Sequence, residues 1–149
     1  LYRGIRMALL DFSKVRQLFG NEVNAPDEAM YRELFVLVLA RATDADAYSH
    51  PAEVSTVQRV IKERLGEDIS AADVRIAALS KLYESVPLSK LLAEGGPRLS
   101  KSQRCAVVEG LIEVLRADDK VSSREADFFN MVVQALGLTA ADAVGLKVD

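Results

Sequence analysis

A short pattern occurs twice in this chain, and the repetition limits the folds that the chain can adopt. Ala45-Asp46 is followed, seven residues after the aspartate, by Glu53, and Ala117-Asp118 is followed at the same spacing by Glu125, 72 positions further on. The same shift aligns apolar residues on both sides of the acids. The aligned pairs are Phe35 with Val107, Val36 with Val108, Leu39 with Leu111, Val57 with Phe129, Val60 with Val132 and Ile61 with Val133. The sequence therefore predicts two copies of a helix–acidic loop–helix unit.

Apolar residues recur at spacings of three and four, which is the period of an α-helix and not of a β-strand. The stretch from Tyr31 to about Thr43 is apolar almost all round, which is typical of a helix at the centre of a bundle. A shorter N-terminal helix is predicted over about residues 5–19, and the glycine and asparagine that follow it end the pattern. Its apolar positions are Leu9, Phe12, Val15 and Phe19.

Helix starts and ends are marked by local signals. A serine or threonine followed three residues later by an acid or an amide predicts a capping box, and Glu53 is predicted to occupy the third helical position of such a start. Gly66 and Gly137 are predicted helix ends. Gly95-Gly96-Pro97 is the clearest break in the chain and is predicted to be the hinge between the repeats. The predicted starts are Ser70 with Asp73, Ser100 with Gln103, Ser122 with Glu125 and Thr139 with Asp142.

These patterns predict an all-α protein, a single-domain bundle of about seven or eight helices over residues 1–149. Repeat 1 covers about residues 27–86 and repeat 2 about residues 100–147. A pseudo-two-fold axis is predicted to relate the repeats and to set the two apolar helices side by side as the core. Each half of the chain alone has roughly 70 residues and one incomplete apolar face, which is marginal for an independent core.

Charge and composition exclude several classes of function. With a net charge of −3 and a pI of about 5.3, the chain has no basic stripe for phosphates, so nucleic acid is not an expected partner. No apolar run approaches the ~20 residues of a membrane-spanning helix. The lone Cys105 permits no internal disulfide, which fits a cytoplasmic protein. His50 is the only histidine and no serine has a partnered base, so no catalytic site is predicted.

The acids of both repeats directly follow the last turn of a predicted helix, where the helix dipole disfavours a carboxylate by ~0.3–1 kcal/mol. Arg41 and Arg116, each in a last turn, are candidate counter-charges. A bound divalent cation is another explanation, and calcium or magnesium suits oxygen ligands better than zinc. Roles in caps and turns explain the same acids without an ion. The candidate metal ligands are Asp44, Asp46, Glu53, Asp118, Asp119 and Glu125.

The two copies resemble a known family. In each, an apolar helix is followed by Ala-Asp, then by a serine and a glutamate, and the second amphipathic helix closes on Leu-Gly. From about residue 30 to residue 142 this arrangement resembles the TerB-like (tellurite-resistance) family. The better copy is residues 116–125, RADDKVSSRE, and the degenerate copy is residues 45–53, ADAYSHPAE. Where the family commonly has glycine after the aspartate, this chain has Ala47 and Asp119.

The resemblance implies an all-helical fold, a role in resistance to tellurite and other stresses, and metal binding by the acidic loops. We therefore expect a non-enzymatic helical interaction module that binds a protein partner, with divalent-cation binding at the paired loops. One alternative is a dedicated calcium- or divalent-metal-binding protein. Another is an adaptor domain acting at the membrane or with chaperones, because relatives occur beside membrane anchors and chaperone-type modules. Homodimer formation and peripheral membrane association are further candidates.

Overall fold

The computed structural model of the chain describes residues 27–44, 52–79, 86–117, 121–139 and 141–142. Within these ranges the chain forms α-helices and one short 3-10 helix and contains no strand, which confirms the all-α class. The elements are α1 (Asp27–Arg41), α2 (Val54–Leu65), α3 (Ala71–Ala78), α4 (Leu88–Gly95), the 3-10 helix Gly96–Arg98, α5 (Lys101–Arg116) and α6 (Ser123–Ala135).

Some predictions about the architecture extend beyond these ranges. The N-terminal helix predicted over residues 5–19 lies outside the described residues, and the helix predicted after Thr139 is described only at residues 141–142. The total of seven or eight helices therefore stays a prediction beside the six α-helices described. The pseudo-two-fold axis, the repeat boundaries and the assignment of residues 1–149 to one domain also stay predictions.

Helix α1 lies at the centre of the described bundle, as its composition predicts. Every side chain from Leu34 to Ala40 is fully buried, because α1 packs against α2, α3, α4 and α5. A helix that is apolar all round is stable in water only where its neighbours enclose it. The other helices keep one polar face, and most of their apolar residues join the same core, whereas Ile76 of α3 is exposed.

Helices α1 and α5 approach each other closely at Gly110. A Cβ atom at this position would lie 2.7 Å from Cζ of Phe35 and 3.5 Å from Cδ2 of Leu39. Glycine inside a helix costs about 1 kcal/mol relative to alanine, and here the missing side chain makes room for the buried Phe35 ring. The two helices predicted to form the core are therefore in direct contact.

Most predicted helix boundaries are confirmed. Ser70, Ser100 and Ser122 each accept a hydrogen bond from the backbone N–H three residues later, and complete capping boxes form at Ser100 and Ser122. Gly66 and Gly137 follow α2 and α6 with φ angles of 70° and 71°. Glycine adopts this left-handed conformation without the steric cost that a side chain would add.

The predicted break at Gly95-Gly96-Pro97 is the point where α4 ends and the 3-10 helix begins. Both glycines are buried and have right-handed helical dihedral angles. A Cβ atom at Gly96 would lie 3.4 Å from Cδ2 of Leu136, close to the end of α6. The small residue at position 96 thus permits close packing onto this end of α6, and the hinge between repeats stays a prediction.

Candidate functional site

The candidate metal ligands divide into two groups. Three of them have described positions at the ends of helices, and the structure does not describe the other three. Asp44, Glu53 and Glu125 belong to the described residues, whereas Asp46, Asp118 and Asp119 lie outside them.

Asp44 is held by the arginine three residues before it. The carboxylate lies just beyond the end of α1, and its side chain is only 9% exposed. Nη1 of Arg41 donates a hydrogen bond of 2.6 Å to Oδ2 of Asp44 and one of 3.1 Å to the backbone oxygen of Ala78. A single guanidinium therefore ties together the last turn of α1, the start of the first acidic loop and the end of α3.

This ion pair explains how the chain tolerates Asp44 at a helix C-terminus. A hydrogen bond between charged groups contributes about 1.5–3 kcal/mol, which exceeds the ~0.3–1 kcal/mol that the helix dipole costs. Of the explanations that the sequence leaves open for this acid, the counter-charge of Arg41 is the one observed. No cation is needed at this carboxylate to offset the dipole.

Glu53 does not occupy the third helical position that the repeat predicts. It is the N-cap of α2, and its exposed side chain makes no capping hydrogen bond. The predicted capping box is therefore wrong at this helix. The position equivalent to Ser122 is His50, which has no hydroxyl oxygen to accept the N–H bonds of a first helical turn.

Glu125 occupies the predicted third position of α6. Its Oε1 accepts a hydrogen bond of 2.9 Å from the backbone N–H of Ser122, and Oγ of Ser122 accepts one of 3.2 Å from the N–H of Glu125. The residue is only 2% exposed. Its carboxylate also lies at the positive end of the helix dipole, where negative charge is favourable. The prediction of a capping box is confirmed here.

Among the residues that the structure describes, no group of three or more His, Cys, Asp and Glu side chains is arranged to hold a metal ion. Asp44, Glu53 and Glu125 therefore do not form a ligand set by themselves. A cation site shared between the two loops stays a prediction, and it depends on the aspartates outside the described ranges.

A groove opens between the second half of α5 and the first half of α6. Its volume is about 320 Å³, and five of its seven lining residues are apolar. Val121, which follows the second acidic loop, is 50% exposed, and the polar residues Arg116 and Asn130 are also exposed. The lining residues are Ile112, Leu115, Arg116, Val121, Ala126, Phe129 and Asn130.

Sequence reasoning missed this groove, although a signal for it exists. The helical pattern assigns Ile112 and Phe129 to the core, yet both are only partly buried. Val121 and Ala126 stand at the two positions around the Ser122 cap where a hydrophobic staple packs. The apolar residues of such a helix cover more of its surface than the side that faces the core. When a hydrophobic staple follows, this pattern indicates a groove that neighbouring helices do not cover.

Most of the chain matches a known protein family. Residues 32–148 match the family described as Tellurite resistance protein TerB, and this range is well over half of the chain. The chain belongs to the TerB family. No curated protein and no solved structure matches it. The resemblance that residues 45–53 and 116–125 carry is thus confirmed at the level of the family.

The TerB match includes both acidic loops and the whole groove between α5 and α6. At the level of the family, this match therefore supports the conclusion that the chain is a tellurite-resistance-associated domain. Within the described ranges, none of the helices has the length and hydropathy that crossing a membrane would require.

A cluster of charged side chains joins α2 and α5 of this TerB domain. Arg64, near the end of α2, donates hydrogen bonds of 3.0 Å to Glu109 and 2.9 Å to Glu113 on α5. Burial raises the pKa of the Tyr31 hydroxyl on α1, the charge of Glu28 raises it further, and Arg64 and Glu109 also act on it. The beginning of α1 therefore lies within electrostatic reach of the second half of α5.

Proposed function

We propose that this TerB domain is a non-enzymatic interaction module of a tellurite-resistance system and binds a protein partner in the groove between α5 and α6. The observation that carries the proposal is the exposure of Val121 in a mostly apolar groove. An exposed apolar patch with polar residues beside it is typical of a protein–protein contact. Its lining residues flank the second acidic loop in the sequence, and two of them, Arg116 and Val121, belong to the better copy of the family's sequence pattern.

The size and chemistry of the groove suit a few apolar side chains. Its volume of about 320 Å³ lies at the lower end of the ~300–1,000 Å³ range of ligand pockets. Burial of apolar surface contributes roughly 25 cal/mol per Å², and an aromatic residue such as Phe129 is a common centre of binding energy. Arg116 and Asn130 offer hydrogen bonds that would orient the partner. An amphipathic helix presents side chains at the spacing that such a groove accepts.

The test compares two charge substitutions in cells whose growth on tellurite depends on this chain. Val121→Asp places a charge in the groove, whereas Gln134→Asp places the same charge at an exposed position of α6 outside the groove. We expect Val121→Asp to reduce survival towards that of cells lacking the chain, because a buried unpaired carboxylate opposes docking. Gln134→Asp should leave survival unchanged. Both proteins are checked for folding by circular dichroism, and full survival of folded Val121→Asp would contradict the proposal.

A second candidate function is divalent-cation binding at the paired acidic loops, with calcium or magnesium as the ion. By sequence, two aspartates follow the last turn of α1 and two follow the last turn of α5. The helix dipole disfavours carboxylates at a helix C-terminus, and their placement there in both repeats supports the proposal. Calorimetric titration with each ion tests it, and binding no tighter than about millimolar would end it. The proposed ligands are Asp44, Asp46, Glu53, Asp118, Asp119 and Glu125.

A double substitution separates this cation site from binding to surface acids in general. Asp46→Asn with Asp118→Asn removes two charges from the loops, and Asp68→Asn with Asp127→Asn removes two at exposed positions on other parts of the chain. We expect the first pair to abolish binding and the second pair to leave it unchanged. Equal affinities for the two doubly substituted proteins would contradict a loop site.

A further inference from the structure

The groove between α5 and α6 contains a single charged residue. Of the seven residues that line it, only Arg116 is charged, and this arginine is exposed at the last position of α5. None of the ion pairs in the described part of the chain includes Arg116. The groove therefore presents a positive charge at one end of a mostly apolar surface.

The two predicted repeats carry a pair of opposite charges at the same place, with the signs reversed. The shift of 72 positions aligns Arg41 with Glu113, and it aligns Asp44 with Arg116. In the first repeat the pair forms, with 2.6 Å between Nη1 of Arg41 and Oδ2 of Asp44. In the second repeat Glu113 instead accepts a hydrogen bond of 2.9 Å from Nε of Arg64 on α2. The acid that could neutralise Arg116 within its own helix is thus bonded to another helix.

The bonds of Arg64 keep this acid away from the groove. Both Nε and Nη2 of Arg64 donate to Glu113, and Nη1 donates to Glu109 at 3.0 Å. An ion pair between Glu113 and Arg116 would require two of these three bonds to break. Arg116 therefore remains able to bind an acid that comes from outside the chain.

The chemistry of the groove matches an amphipathic helix that carries an acid. Ile112 and Arg116 both line the groove and are four residues apart on α5, which is about 6 Å along the helix axis. In a helix aligned with α5, an apolar residue beside Ile112 and an acid opposite Arg116 would be three or four residues apart. Arg116 would repel a basic helix, and a neutral helix would cover the guanidinium without pairing it.

We infer that the partner of the groove is an amphipathic helix with a glutamate or aspartate three or four residues from its apolar anchor. Ile112 and Phe129 contact the anchor, and Arg116 pairs with the acid and so determines which helices bind. This inference rests on the proposed function, because it names the class of partner that occupies the same groove.

A library of helical peptides displayed on phage tests this specificity without knowledge of the natural partner. The peptides carry random residues along one face, and they are selected in parallel on the full chain and on its Val121→Asp variant. Peptides that only the native chain retains are ligands of the groove. We expect most of them to carry an acid three or four residues from an apolar residue, and basic residues at that position to be depleted.

Titration of one selected peptide, followed by fluorescence anisotropy, tests the role of Arg116. We expect Arg116→Glu to weaken binding about tenfold, because it replaces an ion pair that contributes up to about fivefold with a repulsion. Exchanging the peptide's acid for lysine should restore most of the affinity for this variant. The matched control is Arg75→Glu, which reverses an exposed arginine on α3 outside the groove and should leave the affinity unchanged.

Circular dichroism checks the folding of each variant. If Arg116→Glu unfolds, Arg116→Gln decides the matter, and it should weaken binding by up to about fivefold. Groove ligands without an excess of acids, or with the same affinity for the native chain and a folded Arg116 variant, would overturn the inference and leave the proposed function standing. Absence of any ligand that depends on Val121 would overturn both, and the survival of Val121→Asp cells on tellurite decides the proposed function separately.

Discussion

The two predicted helix–acidic loop–helix units of this TerB domain, with α1 and α2 in one and α5 and α6 in the other, use residues that the sequence aligns in different ways. In the α1–α2 unit, Arg41 pairs with the mostly buried Asp44, and Glu53 is an exposed N-cap without a side-chain hydrogen bond. In the α5–α6 unit, Glu125 is buried in a complete capping box, and Arg116 is exposed beside an apolar groove. The ion pair between Arg41 and Asp44 stabilises the first unit, and the capping box of Ser122 and Glu125 stabilises the second.

This difference teaches that a repeated spacing does not fix the role of a repeated residue. Glu53 and Glu125 stand at equivalent positions, but the residue three places earlier is His50 in one unit and Ser122 in the other. A single hydroxyl decides whether the glutamate enters a capping box, because the box needs an acceptor at the N-cap. In the second unit Arg116 is exposed, and it lines the groove between α5 and α6.

The largest expected effect comes from removing the arginine of the first unit. Arg41→Ala should lower the free energy of unfolding by about 2–3 kcal/mol, since the mostly buried carboxylate of Asp44 loses its ion pair with Arg41. The bond from Arg41 to the backbone oxygen of Ala78 is lost as well. Urea denaturation followed by circular dichroism measures the change.

Arg116→Ala is the matched control in the second unit, where the same truncation should change stability by less than ~0.5 kcal/mol. Adding Asp44→Asn to Arg41→Ala should recover part of the loss, because the amide is neutral. Similar destabilisation by the two arginine substitutions would remove the contrast between the units.

A smaller effect is expected at the start of α6. Ser122→Ala should lower the free energy of unfolding by about 1 kcal/mol, the usual cost of losing an N-cap oxygen, because the N–H of Glu125 then loses its acceptor. Thermal unfolding measures this cost. Ser123→Ala, one residue further into α6 and exposed, should be close to neutral. A larger effect at residue 123 than at residue 122 would argue against the capping box.

The opposite change should strengthen the first unit. Glu53→Ser supplies α2 with the cap that it lacks, and the backbone at residue 53 already has the extended dihedral angles of an N-cap. We expect a gain of about 0.5–1 kcal/mol in the free energy of unfolding, again from urea denaturation. Glu53→Ala should bring no such gain. Failure of Glu53→Ser to exceed Glu53→Ala would mean that the cap is not what distinguishes the units.

Local features of the fold are those that the sequence predicts well. The burial of α1 follows from a run without polar residues between Leu34 and Ala40, and the caps at Ser100 and Ser122 need only a pair of residues three positions apart. The start of α2 is missed because the repeat suggests a cap where the chain has His50. A similarity between two segments is a weaker guide to a helix start than the capping chemistry itself.

In the candidate site, too, the local features can be predicted from the sequence and the long-range contacts cannot. Arg41 is identifiable as a counter-charge for Asp44 because the two are three residues apart on one helix end. Its bond to Ala78 joins residues 37 positions apart, and no local pattern reveals it. The groove is hidden for the same reason, because whether Ile112 and Phe129 are covered depends on which helices pack beside α5 and α6.

The smallest expected effect concerns the helix starts that follow the two units, Ser70 in the first and Thr139 in the second. Asp142 accepts hydrogen bonds of 2.9 Å from the backbone N–H and from the hydroxyl of Thr139, and its other oxygen lies 3.2 Å from Nζ of Lys101. The backbone bond from Thr139, then its hydroxyl and Lys101, hold the pKa of Asp142 below its ordinary value.

A carboxyl whose pKa is depressed by folding contributes stability above its unfolded pKa, and the contribution is lost as the pH falls through its folded pKa. We therefore expect the Asp142 carboxyl to titrate at a lower pH than an unstructured aspartate when it is followed by NMR. Thr139→Val removes the hydroxyl donor and should raise that pKa, while Ser70→Ala, the equivalent change after the first unit, should leave it unaltered. If Thr139→Val leaves the pKa of Asp142 unchanged, the Thr139 hydroxyl does not stabilise the ionised carboxylate. The difference between the two units would then not extend beyond the end of α6.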